Sequence, residues 1–519
     1  MMADRIRIQN FINGEWVIEE NEKTLPLYNP STGEQIGEVP VASQMSVEAA
    51  VKSSHEAYLK WRKVPIGKRV GYIFSLREAM KNNLEELAES IAIDQAKHIS
   101  EARGEVQRVI EIVEMACNAP SLLQGETLDQ IADGINGRVT RQPLGVFCGI
   151  APFNFPALVF GWFVPFAIAS GNTFVFKPSM ESPLFMQKMG EILNDIGLPK
   201  GVVNIIYGEK EVAETWYEMP EVVGVCLVGS SPTAKSIAEA CGRVGKKTML
   251  LGGAKNYLVA LEDAQMDLLI NNIVQSGYGS AGQRCLASSI IAVVPELYDE
   301  VIERLTEASK KIVVGDAMND EVFMGPVISA QAKERIEGYI QSGIDAGARL
   351  VLDGRNPEMP DMNKDGYFVA PTIFADVTPC MEIAREEIFG PVLSVMKIQD
   401  MDDALDLIQK QQTGNGACLF TQNMYLAEKF MNEADVGMVG INVGVCAPHP
   451  YMPFGGIKDS LVGNNKVQGK DGFDFFTQNK VSTIRVAPPQ GLTAEQSTSG
   501  EQNTEESAGK GKVRSCIAS

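Results

Sequence analysis

Apolar side chains recur at roughly helical spacing through residues 47–58 and 104–116, as in Val47-Glu-Ala-Ala-Val-Lys and Gly104-Glu-Val-Gln-Arg-Val-Ile-Glu-Ile-Val, and predict long amphipathic helices. Short β-rich runs follow at 145–150, 173–176, 203–206 and 224–228, with helical stretches between them. Four strands alternating with helices predict a parallel, doubly wound sheet whose ligand crevice lies at the carboxyl ends of the strands. A second α/β segment spans about 254–454, with strands expected near 289–294, 391–396 and 417–420. Two further β-like pieces, 137–142 and 473–481, belong to neither unit. Beyond Pro488 the chain is polar, poor in aromatics and rich in Gly, Ser, Glu and Gln, which predicts a disordered tail.

The uncharged stretch from 144 to 176 is long enough to cross a bilayer. Pro152, Pro156 and Pro165 interrupt it and Asn154 and Asn172 lie inside it, so it reads as strand, loop, helix and strand in a soluble core, and no transmembrane segment is expected.

At 519 residues the chain exceeds the size at which one core keeps growing, so at least two domains are expected. A net charge of -20 excludes the basic face that nucleic acid requires. The nine cysteines form no CxxC pair and the three histidines, His55, His98 and His449, lie far apart, so zinc-ligand spacing is absent and no metal is expected. Free thiols and an N-terminal stretch without a signal-peptide core favour a cytoplasmic protein. Cys516-Ile-Ala-Ser519 has the form of a C-terminal prenylation box; four residues at a disordered end match that form readily by chance.

Cys285 carries the candidate chemistry. Within Ser276-Gly-Tyr-Gly-Ser-Ala-Gly-Gln-Arg-Cys285, small residues crowd its N-terminal side and leave the thiol room for a flat carbonyl group. The adjacent Arg284 is expected to favour the thiolate. Taken alone, the pattern also fits an inert packing cysteine.

Three more segments accompany it: Ala151-Pro-Phe-Asn-Phe-Pro156, Gly171-Asn-Thr-Phe-Val-Phe-Lys-Pro-Ser179 and Glu386-Glu-Ile-Phe-Gly-Pro-Val392. In order and spacing the four together resemble the aldehyde dehydrogenase superfamily over roughly residues 10–486. The resemblance implies an α/β aldehyde dehydrogenase fold: a Rossmann-like cofactor domain (1–121 and 144–253), an α/β catalytic domain (254–458), a small β oligomerisation arm (122–143 and 459–487) that builds a homodimer or homotetramer, and the tail from 488. It implies a small-molecule aldehyde attacked by Cys285, with the Asn154 amide and the Cys285 backbone N–H stabilising the oxyanion. It places Ala151, Phe153, Lys177, Met180, Ser230, Glu387 and Phe389 around NAD or NADP, Lys177 at the adenosine ribose, Ser230 at the pyrophosphate, and Glu387 and Phe389 at the nicotinamide ribose and ring. Residue types alone also allow Asn154 a loop role, and Glu387 and Phe389 the roles of surface carboxylate and core phenyl.

Two departures refine this expectation. Many family members carry a glutamate 34 positions before the nucleophile as the base that activates water; this chain has Leu251 there. Leucine takes no proton, whereas a thiol such as coenzyme A ionises readily enough to cleave the thioester without that base. Leu250-Leu-Gly-Gly-Ala-Lys-Asn256, Gly282-Gln-Arg-Cys285 and Gly414-Asn-Gly416 resemble the CoA-acylating methylmalonate-semialdehyde dehydrogenase branch, whose substrate carboxylate is held by two arginines, matched here by Arg108 and Arg284. On residue type alone Arg108 also fits a solvated helix face. Met180 replaces the glutamate that commonly repels a 2′-phosphate, so NADP becomes tolerable beside NAD. The stretch from His449 to Lys458 looks more like the general superfamily than like that branch. The expected activity is oxidation of a short carboxylated semialdehyde, of the methylmalonate or malonate semialdehyde type, with acyl transfer to CoA. Two alternatives stand beside it: a hydrolytic enzyme acting on succinate semialdehyde or a sulfonated analogue, and a catalytically silent binding or structural member.

Overall fold

The computed structural model describes residues 5–19 and 23–485. The tail from 488 and Cys516 lie outside the described residues. Among the described residues two compact units emerge, one lying within residues up to 123 and 142–478, the other comprising 124–141 and 479–485.

The larger unit is built on two sheets. In the first, parallel strands β1 (Val146–Ile150), β2 (Thr173–Lys177), β3 (Val203–Ile205), β4 (Val222–Val228) and β5 (Lys247–Leu251) lie in the order 5-4-1-2-3. Antiparallel pieces extend it on both sides, Leu461–Val462 beside β5, and Asn10–Ile12 followed by Glu15–Val17 beside β3. The strand order reverses between β1 and β4, so a crevice opens where Ile150 and Val228 end their strands. Helix α2 (Pro156–Ser170) packs against β2 of this sheet, and helix α1 (Ile99–Ala116) packs against α2. Helix α2 is apolar on nearly every side and buried along its length, which explains the uncharged stretch: it is strand, loop, helix and strand, as its sequence predicts. Pro156 sits in the first turn, where its missing N–H is harmless, and Pro165 is accommodated inside the helix. Among the described residues no helix is long and apolar enough to cross a membrane.

Helix α3 (Ser231–Arg243) follows β4 and is capped by Ser230, whose hydroxyl accepts from Thr233 N. The second sheet holds β6 (Asn256–Ala260), β7 (Ser288–Val293), β8 (Thr372–Ala375), β9 (Val392–Lys397), β10 (Gly416–Phe420) and β11 (Met438–Ile441), parallel and in the order 8-9-7-6-10-11. Helix α4 (Met266–Tyr278) leads into the loop that carries Cys285 before β7.

The smaller unit contains a three-stranded sheet in which Ile135–Pro143 lies between Glu126–Ala132 and Thr477–Arg485. Here the structure differs from the sequence reading. Residues 473–476 are not strand but part of, or adjacent to, the helix Gly469–Phe475, and residues up to 478 belong to the larger unit rather than to an arm starting at 459. The cause is aromatic packing: Phe473 meets Phe166, with ring centres 4.9 Å apart, and Phe475 and Phe476 meet Phe147 at 5.5 and 4.8 Å.

Candidate active site

Cys285 lies on the loop between α4 and β7, and the backbone that delivers it is unusual. Ser280, Ala281 and Gly282 are consecutive left-handed residues, with φ of 49°, 52° and 72°. A non-glycine residue in that conformation is strained by about 1–2 kcal/mol, so two in succession need an external hold. Glycine is required at 282, because a Cβ there would stand 2.2 Å from the Gly390 carbonyl oxygen. Three side chains supply the hold. Glu101 on α1 accepts from Ser280 N at 2.9 and 3.2 Å through its two oxygens. Asn256 and Asn415, at the starts of β6 and β10, both donate to the Cys285 carbonyl at 2.9 Å.

Asn154 comes to the same place from the loop after β1. It is buried, and its Nδ2 donates to the Gln283 carbonyl at 2.9 Å, which leaves the second amide hydrogen for another acceptor. Its own carbonyl accepts from Lys97 Nζ at 2.7 Å. Lys97 in turn pairs with Glu105 at 2.5 Å, both side chains 1% exposed, and sits 3.9 Å from the Phe155 ring centre. Glu105 Oε1 accepts from Ala157 N and Leu158 N at 2.9 and 3.0 Å, capping α2. Burial lowers the Lys97 pKa, and Glu105 opposes that effect.

Cys285 borders two cavities. One, of about 300 Å³, is lined by Arg108, Arg284, Phe155, Leu286 and Phe454. The other, of about 260 Å³, reaches Phe153, Asn154, Ser230, Glu387 and Phe389 at the switch point of the first sheet. Phe153 and Phe389 meet edge to face, with centres 5.9 Å apart. A third cavity of about 750 Å³ continues past Ser230 and Glu387 to Lys255 and Lys235. Lys255 is 5% exposed and its Nζ has no hydrogen-bond partner. Burial pushes its pKa down to about 8, and the carboxylates of Glu387 and Glu386 oppose that.

Lys177 ends β2, buried, and burial brings its ammonium down to about 8 while Glu209 opposes. The neighbouring Ala151 is buried and its N–H donates to the Lys177 carbonyl at 3.0 Å. Met180 packs against the core, and Glu181 beside it is exposed. Leu251 is 4% exposed and points into the apolar core, so no carboxylate occupies its position.

The expected thiolate is not favoured here. Burial pushes the half-buried Cys285 thiol up to about 12, and the Glu387 carboxyl adds to the effect. Arg284 contributes little because its guanidinium is ion-paired with Glu101, with Nη1 donating to the Gln275 carbonyl at 3.3 Å. The two arginines do share one cavity, yet neither stands bare: Arg108 is 3.1 Å from Glu111. The sequence reading did not single out Lys97, Glu101, Glu105, Asn256 or Asn415.

The description Aldehyde dehydrogenase family matches residues 16–482. This chain belongs to that family. Among its relatives is a malonate-semialdehyde dehydrogenase of Bacillus pumilus, 42% identical over 478 residues, covering 92% of this chain and 98% of the relative. A namesake from Halalkalibacterium halodurans is 42% identical and covers 93% and 99%. Among solved structures, a methylmalonate-semialdehyde dehydrogenase from Oceanimonas doudoroffii superposes with a TM-score of 0.91 at 39% identity, covering 93% of this chain and 99% of the other. A protein from Sinorhizobium meliloti, named as a methylmalonate-semialdehyde dehydrogenase and complexed with NAD, gives a TM-score of 0.92 at 34% identity, covering 94% and 99%. The sheets described above are thus an aldehyde dehydrogenase fold.

Proposed function

We propose that this aldehyde dehydrogenase oxidises malonate or methylmalonate semialdehyde with NAD or NADP and transfers the acyl group to CoA. The observation that carries the reading is that Cys285, Arg108 and Arg284 line one cavity while position 251 offers no carboxylate to activate water. The names of the relatives support the same substrate class.

Cys285 sulfur adds to the aldehyde carbonyl, and its proton passes to a base. The free Asn154 amide hydrogen and the Cys285 N–H meet the oxygen where negative charge develops. The cofactor, when bound, accepts the hydride, and a thioester on Cys285 remains. The thiol of CoA then adds to the thioester carbonyl, and collapse expels the Cys285 sulfur, which regains a proton. The bond from Cα to the substrate carboxylate breaks with loss of carbon dioxide, and the electron pair left on Cα takes up a proton, so the products are acetyl-CoA or propionyl-CoA.

The residues that would hold the cofactor are the α3 start at Ser230, the buried amines of Lys177 and Lys255, and Glu387 with Phe389, flanked by Ala151 and Phe153. Met180 presents no charge to a 2′-phosphate, so both NAD and NADP are accommodated. The smaller unit is the candidate oligomerisation arm of a cytoplasmic homodimer or homotetramer.

Hydrolysis is the second reading, and Glu387 favours it: burial brings its carboxyl up to about 7, where it can take a proton from water. Turnover with and without CoA separates the two. Without CoA the acylating enzyme gives one burst of reduced cofactor and then slow turnover; with CoA the steady rate rises and a CoA thioester forms. Full turnover to a free acid without CoA refutes the acylating assignment. A catalytically silent protein would show no burst and no aldehyde protection of Cys285 from thiol labelling.

A further inference from the structure

Glu101 performs two tasks with one carboxylate. It holds the strained turn through Ser280 N, with a further contact to Ser280 Oγ at 3.3 Å, and it occupies Arg284 Nη2 in the cavity where the substrate carboxylate is expected. Its side chain is 18% exposed and that of Arg284 is 22% exposed, so water screens their pairing only in part. Arg284 is further fixed: its guanidinium lies over Gly279, where a Cβ would meet Cζ at 2.6 Å, and its Nε is buried without a partner. Arg108 is 41% exposed on its side chain and remains the more adaptable cation of the cavity.

We infer that Glu101 is a positioning and selectivity residue: it shapes the nucleophile turn and, by competing for Arg284, weakens the pull of the site on carboxylated aldehydes. The selectivity half rests on the carboxylated-substrate reading above; the turn half does not. An arriving substrate carboxylate shares Arg284 with an internal one, so affinity for the anion is traded for a turn that stays formed when the site is empty.

Two variants divide the tasks. Glu101→Gln keeps an oxygen for the Ser280 N–H but removes the competing charge. It is expected to raise the ratio of kcat/KM for malonate semialdehyde over propanal by about five- to tenfold, chiefly through KM. Glu101→Ala also releases the turn, and kcat is expected to fall at least about tenfold on both aldehydes, with Glu101→Gln retaining most of the lost rate. Thermal melting and nucleotide binding of both variants exclude simple misfolding. A ratio that falls or stays constant in Glu101→Gln overturns the selectivity role, and equal kcat in the two variants overturns the positioning role. If the unmodified enzyme shows no preference for malonate semialdehyde over propanal, the substrate reading and the selectivity role fall together, while kcat on propanal still decides the positioning role.

Discussion

Removing the Lys97 ammonium tests whether the buried Lys97–Glu105 pair positions Asn154. Both side chains are 1% exposed, so Lys97→Met leaves a carboxylate in the interior without its cation. Breaking one side of such a pair costs about 3–5 kcal/mol. Glu105 keeps two backbone donors, Ala157 N and Leu158 N, at the start of α2, which places the expected loss near the lower end. The lost bond to the Asn154 carbonyl adds about 1 kcal/mol, giving a destabilisation of about 3–4 kcal/mol overall. The double variant Lys97→Met/Glu105→Gln removes the orphaned charge while the amide oxygen still accepts from α2, and is expected to recover about 2 kcal/mol of that loss. Denaturant midpoints followed by far-UV circular dichroism read the stability, and kcat reads the displacement of Asn154. A loss below about 1 kcal/mol in the single variant, or a double variant no more stable than the single, would refute the reasoning.

Arg108→Leu is expected to cost about 2 kcal/mol in kcat/KM for malonate semialdehyde, and much less for propanal; its pair with Glu111 is too exposed to matter greatly to folding, and equal losses on both aldehydes would assign Arg108 to the fold instead. Glu387→Gln removes a charge that raises the Cys285 pKa, so iodoacetamide should label Cys285 faster in the variant. Because the Glu387 carboxyl titrates at about 7, the wild-type charge is present above that pH and absent below it, so the two rates should diverge on the alkaline side and converge on the acid side. A rate ratio independent of pH would contradict the assignment.

Much of the framework is legible because its elements are long or regularly spaced. The helices at 47–58 and 104–116 fall within Gln44–Trp61 and Ile99–Ala116, and the four early β runs are strands of the first sheet. The N-terminal strands escape because pieces such as Asn10–Ile12 and Glu15–Val17 are three residues long and are fixed by neighbours distant in sequence. The Phe473 region misleads for a different reason. Closely spaced aromatics suggest strand by propensity, but here all three phenyl rings are buried against Phe147 and Phe166, and that packing overrides local preference.

At the site, the motifs reveal which residues meet but not how they are charged. Glu101, Glu105 and Arg108 follow one another at spacings that favour one face of α1, a signal available in the sequence, whereas Lys97 lies before the helix and reaches Glu105 from there. Once Glu101 is placed on that face, Arg284 ceases to be a free cation beside the thiol. Its charge is balanced by a carboxylate that also holds the turn, and burial with Glu387 then sets the thiol high. A protonated Cys285 in the empty site is chemically coherent: a buried thiolate would be exposed to oxidation and alkylation between turnovers. On the proposed reaction the proton leaves only when an aldehyde is at hand, and the Glu387 carboxyl, raised by burial to about 7 and bordering the same cavity, is the candidate to receive it.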